Sequence, residues 1–220
     1  MRPGERCVIR AAVLVAAMLI LVGCGRPRDP AMGSHFTDQF TRKDIGASYF
    51  DTIGRYRVIL GRLNIEKAYN HPLWLRRRLP RNVEASVDVV SMTDDGDMKV
   101  EIFGDGQSSA TTNRGAYTAT GYVLCMGGWH NSKSFIARKY EHGKAGIDVV
   151  SRSDVKVVKG KTYHWRIVRR GHLLEWYVDG EPFLSFDDPE PLYGRRNDHF
   201  GFSNWQSDVH FDNLKIRRLN

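Results

Sequence analysis

Tyr163-His-Trp-Arg-Ile-Val-Arg-Arg-Gly-His-Leu-Leu-Glu-Trp-Tyr-Val-Asp-Gly-Glu-Pro-Phe-Leu-Ser-Phe-Asp187 is the stretch from which the fold is read. Tyr163, Trp165 and Ile167 alternate with His164 and Arg166, the period of a strand with one buried face. Arg170-Gly171 turns the chain, and His172 to Val178 forms a second strand. Asp179-Gly180 supplies the positive-φ turn of a tight hairpin, and Pro182 to Phe186 follows as a third strand. Three strands in 25 residues with no room for a crossover helix predict an antiparallel meander.

The same period extends toward the N-terminus. Val83, Ala85, Val87 and Val89 alternate with Glu84, Ser86 and Asp88, and Met98, Val100 and Ile102 with Lys99 and Glu101. Turn chemistry separates the runs at Asp94-Asp95-Gly96-Asp97, Gly104-Asp105-Gly106 and His142-Gly143. The one helix-like stretch, Glu66 to Arg78, is cut by Pro72 and allows at best a turn or two. Many short strands without intervening helices predict an antiparallel sandwich or barrel. The chain has 220 residues, 41% hydrophobic and 26% charged, with a formal charge of +8. That composition excludes a disordered chain, a multi-pass membrane protein, a fibre and a disulfide-stapled miniprotein.

The meander, with Trp165, Ile167, Gly171, Leu174 and Trp176-Tyr-Val-Asp-Gly180, is followed by Gly201-Phe-Ser-Asn-Trp205 and Phe211-Asp-Asn-Leu-Lys-Ile216. Gly121-Tyr122 and Gly127-Gly-Trp-His-Asn131 complete a pattern that resembles the concanavalin A-like lectin/glucanase superfamily, from about Tyr56 to Leu219. The resemblance implies an all-β jelly-roll sandwich of two curved antiparallel sheets, with a concave face that often receives a glycan.

Retaining glycosidases need two carboxylates about 5–5.5 Å apart. The laminarinase-like Glu-x-Asp-x-(x)-Glu motif is absent. The nearest candidates, Glu101-Ile-Phe-Gly-Asp105 and Glu175-Trp-Tyr-Val-Asp179, place Phe103 and Tyr177 at the middle same-face position. The Gln-x-His and Tyr-x-Lys-x-Gly motifs of related lyases are missing as well. No catalytic residue is assigned, and the expected activity is non-catalytic carbohydrate binding. The alternatives are a polysaccharide-degrading hydrolase or lyase, and a protein-binding component of an envelope assembly. Sugars stack on aromatic rings and bond to amides, His and Arg. The candidate ligand contacts are therefore Trp129, His130, Asn131, Arg138, Asn204 and Trp205, whereas Trp165 and Trp176 are assigned to the core. The resemblance allows a structural Ca²⁺ through Asp212, but no further oxygens for one can be assembled. No cofactor is expected.

Residues 1–23 read as an address. Arg2, Arg6 and Arg10 precede twelve apolar residues, Ala11 to Val22, which span about 18 Å as a helix, too short to cross a bilayer. Leu21-Val22-Gly23-Cys24 resembles the bacterial lipobox, which implies cleavage before Cys24, a lipid anchor on it and, with Gly25 next, residence at the outer membrane. Residues 24–35 read as a tether and 36–220 as the sandwich. Loss of 1–23, with three Arg and one Glu, leaves +6. An exported basic domain meets acidic polysaccharide, lipopolysaccharide or anionic lipid, and no nucleic-acid-binding motif is present. Cys125 is left as a lone cysteine in an apolar strand, which assigns it to packing.

Overall fold

The computed structural model describes residues 28–111 and 117–220. The expected signal peptide, 1–23, and the lipidation site Cys24 lie outside the described residues. The strands run β1 (His35–Asp38), β2 (Tyr49–Asp51), β3 (Arg57–Ile59), β4 (Arg62–Glu66), β5 (Leu73–Leu75), β6 (Val83–Ser91), β7 (Met98–Gly104) and β8 (Tyr122–Gly127). They continue as β9 (Lys133–Arg138), β10 (Val149–Arg152), β11 (Thr162–Arg170), β12 (Leu173–Val178), β13 (Glu181–Asp187), β14 (His199–Asn204) and β15 (Asp208–Arg218). One sheet has the order β13-β12-β11-β6-β15-β4-β3, with β1 also on β15, and the other the order β10-β9-β8-β7-β14-β5-β2. Every named strand pair is antiparallel, and the two sheets form the expected jelly-roll sandwich.

The meander folds as its sequence dictates. Trp165 pairs with Val178 and Trp176 with Leu184. Asp179 (φ 52°) and Gly180 (φ 88°) make the left-handed turn between β12 and β13. Trp165 and Trp176 are both buried, with ring centroids 4.6 Å apart and edge to face, the geometry that aromatic quadrupoles favour. The predicted inward residues Val83, Ala85, Val87 and Val89 of β6 join them in one core between the sheets.

Three local expectations change. The stretch Glu66 to Arg78 holds no helix: it carries β5, and Lys67, Tyr69 and Asn70 have positive φ. Phe103 leaves the face of Glu101, because a register shift beside it and its φ of 60° turn the ring into the core, against Tyr122. Residues 29–35 belong to the fold rather than to a tether. Met32 is 2% exposed, its N–H donates to the Arg78 carbonyl at 2.9 Å, and the Arg78 N–H donates to the Pro30 carbonyl at 2.9 Å.

The outer face of the β7–β8–β9 sheet is not open to water. Val123, Cys125, Phe135, Ala137 and Val149 make a second apolar cluster there, with Ala119, and Tyr117 packs against it. Lys99 and Glu101, whose alternation predicts exposure, lie on this face and are only 4% and 2% exposed. Tyr117 and Thr120 cover Glu101, and Asn70 and Glu141 cover Lys99. Trp74 Nε1 donates to the Ser108 carbonyl at 2.9 Å and the Ala110 N–H to the Asn70 carbonyl at 3.2 Å.

Candidate functional site

At the end of the sheet where β7 begins and β14 finishes, a cleft of about 620 Å³ opens. That is the size of small-ligand sites in general. Its walls include Trp129, His130, Phe135, Tyr140, His142 and Trp205, and Asp97, Lys99 and Ser207 lie buried within it. Antiparallel pairing puts Asn204 opposite Met98, so the residues that follow β14 and precede β7 meet. There the Trp205 N–H donates to Asp97 Oδ2 at 2.5 Å, and the Trp205 ring stands edge-on to Tyr69 at 5.1 Å.

The other wall is a left-handed turn. Trp129, His130 and Asn131 have φ of 47°, 56° and 58°. Each such residue costs about 1–2 kcal/mol in an L-chain. Asn131 holds the turn in place, donating to the carbonyls of Asp94 (3.0 Å) and Val157 (2.7 Å) and accepting from the Val157 N–H (2.8 Å). The turn lifts Trp129 out to 40% exposure. The indole rests on Phe135 (4.9 Å between centroids), with His142 at 5.5 Å, and Tyr140 meets His142 edge to face at 5.5 Å.

Gly127, at φ 72°, permits this geometry, since a Cβ there would lie 2.7 Å from Val157 and 2.8 Å from Asn131 Oδ1. Gly127→Ala adds a left-handed penalty to that overlap and is expected to cost about 2 kcal/mol. Thermal unfolding measures the cost, and the Trp129 fluorescence maximum should move with it as the turn rearranges. An unchanged melting temperature would mean that the turn does not depend on this glycine.

Charge is concentrated beneath the rings. Lys99 Nζ lies 3.3 Å from Asp97 Oδ1, 3.1 Å from Glu141 Oε1 and 3.1 Å from Asn70 Oδ1. Burial opposes the ammonium, but the Asp97 and Glu141 carboxylates outweigh it and hold Lys99 protonated, above its ordinary range. Burial raises the Asp97 carboxyl, with Lys99 pulling against it. The Cys125 thiol, 3.4 Å from Asp97 Oδ1, is pushed well up, first by burial and then by Asp97, which makes it unreactive. At the rim Asp95 faces His130 at 3.3 Å and Gln206 at 3.5 Å.

Of the six ligand contacts expected from sequence, the fold brings Trp129, His130 and Trp205 to the cleft. Asn204 is fully buried; its side chain accepts from the Ala68 N–H and donates to the Ile65 and Ser207 carbonyls. Asn131 is taken up by the turn. Arg138 lies away from the cleft lining and binds Asp188 Oδ2 at 2.9 Å and the Glu190 carbonyl at 3.0 Å. Asp212 accepts from the Asn213 N–H at 2.7 Å. Among the described residues no cluster of three or more His, Cys, Asp or Glu is placed to hold a metal ion. Sequence reasoning missed Asp97, Lys99, Glu141 and His142. One signal was available: β8 is apolar on both faces, which marks a strand covered on both sides and so a buried setting for the charged residues of neighbouring β7.

A family model described as "Farnesoic acid 0-methyl transferase" matches residues 91–215, more than half of the chain. No curated protein matches it. Among solved structures, a β-1,3-1,4-glucanase (lichenase) from a mouse hindgut metagenome superposes with a TM-score of 0.59 at 10% identity, over 85% of this chain and 100% of that one. The alginate lyase Aly36B gives 0.52 at 14% identity, over 86% and 100%. The carbohydrate-binding module CBM66 from Bacillus subtilis gives 0.50 at 11% identity, over 87% and 99%. At these identities the likeness is one of fold.

Proposed function

The chain belongs to the family described as "Farnesoic acid 0-methyl transferase", and for this member we propose a carbohydrate-binding sandwich that holds a glycan in the aromatic cleft without cleaving it. The observation that carries the reading is the left-handed turn that spends backbone energy to expose Trp129 beside His142 and above buried polar groups. Strain of this kind persists where the surrounding structure enforces it, and it clusters at binding sites. A sugar's apolar face stacks on an indole while its hydroxyls reach groups such as Asn70, Asp95, Glu141 and Gln206. The fold likeness to a glucanase, a lyase and a binding module is consistent with this reading.

The cleft's chemistry narrows the ligand. Asp95, Asp97 and Glu141 outnumber Lys99 and Lys133, whose ammonium lies 5.5 Å from the Trp129 ring centroid, so a neutral, hydroxyl-rich chain suits it better than the acidic polysaccharide or lipopolysaccharide that the overall charge suggests. The same balance argues against an isoprenoid acid, the substrate in the family's description, whose carboxylate would meet three others. Asp97 and Glu141 share Lys99 and Asp95 faces His130, so none is a free acid–nucleophile pair, which favours binding over hydrolysis.

Lipid anchoring through Cys24, after loss of residues 1–23, is part of the proposal. Its support is the short apolar segment and the four residues ending at Cys24. Radiolabelled palmitate should mark the wild-type chain in a bacterial host and not Cys24→Ser.

A panel of neutral and acidic oligosaccharides, read by melting temperature and titration, tests the ligand. A neutral glycan should bind, and Trp129→Ala should weaken it at least tenfold, about 1.4 kcal/mol, with the fold intact because Trp129 is exposed. Undiminished affinity in that variant would remove the cleft as the site.

A further inference from the structure

The end of the sandwich opposite the cleft carries a second concavity of different chemistry, lined by Arg28, Arg78, Arg195 and Arg196 with Asp29, Asp105, Asp198 and His199. The carboxylates there are turned inward. Asp29 and Asp198 have side chains only 8% and 7% exposed and flank His199 at 3.4 and 2.8 Å. Asp105 accepts from the Gln107 and Ser108 N–H groups at 2.9 and 2.8 Å. Arg28 is exposed with its guanidinium 3.7 Å from Asp198 Oδ2, and Arg78 is half-buried. Arg195 and Arg196 are exposed, and among the described residues neither has an ion-pair partner. Two residues before them Tyr193 is 52% exposed, with the Arg81 guanidinium 4.7 Å above its ring. A tyrosine among arginines is the pairing found where protein meets lipid headgroups.

The N-terminal segment fixes where this edge stands. Asp29 is clamped by Arg76 Nε at 3.1 Å and by Arg78 Nε on its carbonyl at 2.8 Å. Five residue steps separate it from Cys24, so the clamped residue is within about 17 Å of an anchor on that cysteine. β7 leads from Lys99 in the cleft to Asp105 at this edge, and β14 leads back from His199 to Trp205 in the cleft. Six residue steps of about 3.3 Å put the two concavities about 20 Å apart.

We propose that the edge formed by Arg28, Arg78, Arg81, Arg195 and Arg196 is a membrane-docking surface that binds the phosphates of anionic phospholipid headgroups and turns the aromatic cleft away from the bilayer. The orientation rests on anchoring at Cys24, whereas the lipid contact is a property of the edge itself.

Residues 28–220, which contain both sheets and the core between them, are pelleted with phosphatidylcholine vesicles and with vesicles about one-third phosphatidylglycerol. The protein should partition into the anionic vesicles alone, and release as salt is raised from about 0.05 to 0.5 M. Arg195→Gln with Arg196→Asn, the asparagine chosen because Arg196 has φ 80°, should weaken partitioning about thirtyfold at an unchanged melting temperature. Equal binding to both vesicles, or a double variant that partitions like the parent, would overturn the docking surface. Palmitate that fails to label Cys24 would instead overturn the anchor and with it the orientation. A flat sugar panel touches neither result, so failure of the glycan reading is separately visible.

Discussion

Lys99→Met should destabilise the protein by about 3–5 kcal/mol, the range for removing one member of a buried ion cluster, and so lower its melting temperature by roughly 6–20 °C. Among the described residues the ammonium is the one cation in contact with both Asp97 and Glu141, at 3.3 and 3.1 Å, and Asp97 is buried. Met fills nearly the same volume, so little of the loss is cavity; what remains is two carboxylates facing each other without compensation. Protonation relieves that conflict, and since burial already raises Asp97 and the variant lacks the Lys99 charge that pulls it down, the difference between parent and variant should begin to shrink above the ordinary carboxylate range as pH falls. Asp97→Asn in the Lys99→Met background should recover part of the loss, since one of the two charges is gone and Oδ1 of Asn can still accept from the Trp205 N–H. Thermal and urea unfolding of the three variants decide the matter. A cost below about 1 kcal/mol, the level of an exposed ion pair, would mean that water reaches the cluster and that the charged groups beneath the rings are not preorganised for a ligand.

Lys99 also shows where a sequence stops being informative. The meander from Tyr163 to Asp187 was legible because everything that shapes it is local: side-chain period, the positive-φ pair Asp179-Gly180, and Trp residues too large to leave exposed. The same period, applied to Met98–Ile102, puts Lys99 and Glu101 in water. It fails because their cover comes from Asn70, Tyr117, Thr120 and Glu141, each at least 16 residues away. Trp129 and Trp205 were recognisable as candidates by residue type, and the fold does place both at one cleft. Their Asn neighbours were misleading, since an amide serves a buried backbone as well as it serves a sugar. Asn204 bridges Ala68, Ile65 and Ser207, and Asn131 bridges Asp94 and Val157. Which amide is committed to the backbone depends on partners the local sequence does not contain. The docking of residues 29–35 was hidden for the same reason: its partners, Arg76, Arg78 and His199, lie far along the chain.

Glu101 should make the protein lose stability as pH rises from about 4.5 to 7. Burial, opposed by the donors Gly121 N–H, Tyr117 O–H and Thr120 N–H, raises its carboxyl to about 7. Oε1 accepts from the Thr120 and Gly121 N–H groups, both at 2.8 Å, and Oε2 from the Tyr117 hydroxyl at 3.0 Å. In the unfolded chain the group ionises near 4.5. Between those values the folded state keeps a proton that the unfolded state has released, so stability falls with pH through the window and levels off above 7. The loss is on the order of 3 kcal/mol, or about 6–12 °C in melting temperature. Asp38, Glu84 and Asp188 are lowered despite burial, Asp38 by Arg42, the Phe40 N–H and Tyr49, Glu84 by Arg217 and Arg166, and Asp188 by the Tyr122 hydroxyl and Arg138, and they act with the opposite sign and below about pH 4. His210, lowered by burial, opposes Glu101 within the window, so a raw pH profile mixes the two. Glu101→Gln separates them. Gln retains an acceptor for Thr120 and Gly121, can donate to the Tyr117 oxygen, and does not titrate. The difference in melting temperature between parent and variant should therefore change by about three-quarters of that amount between pH 5 and 8, with the variant the more stable at pH 8. Tyr117 both hydrogen-bonds Glu101 and lines the cleft, so the same variant tests whether the buried carboxyl bears on the ligand. A constant difference across that range would mean that the three donors, rather than burial, set the charge of Glu101, and that the segment over the sheet is held by an ion at every physiological pH.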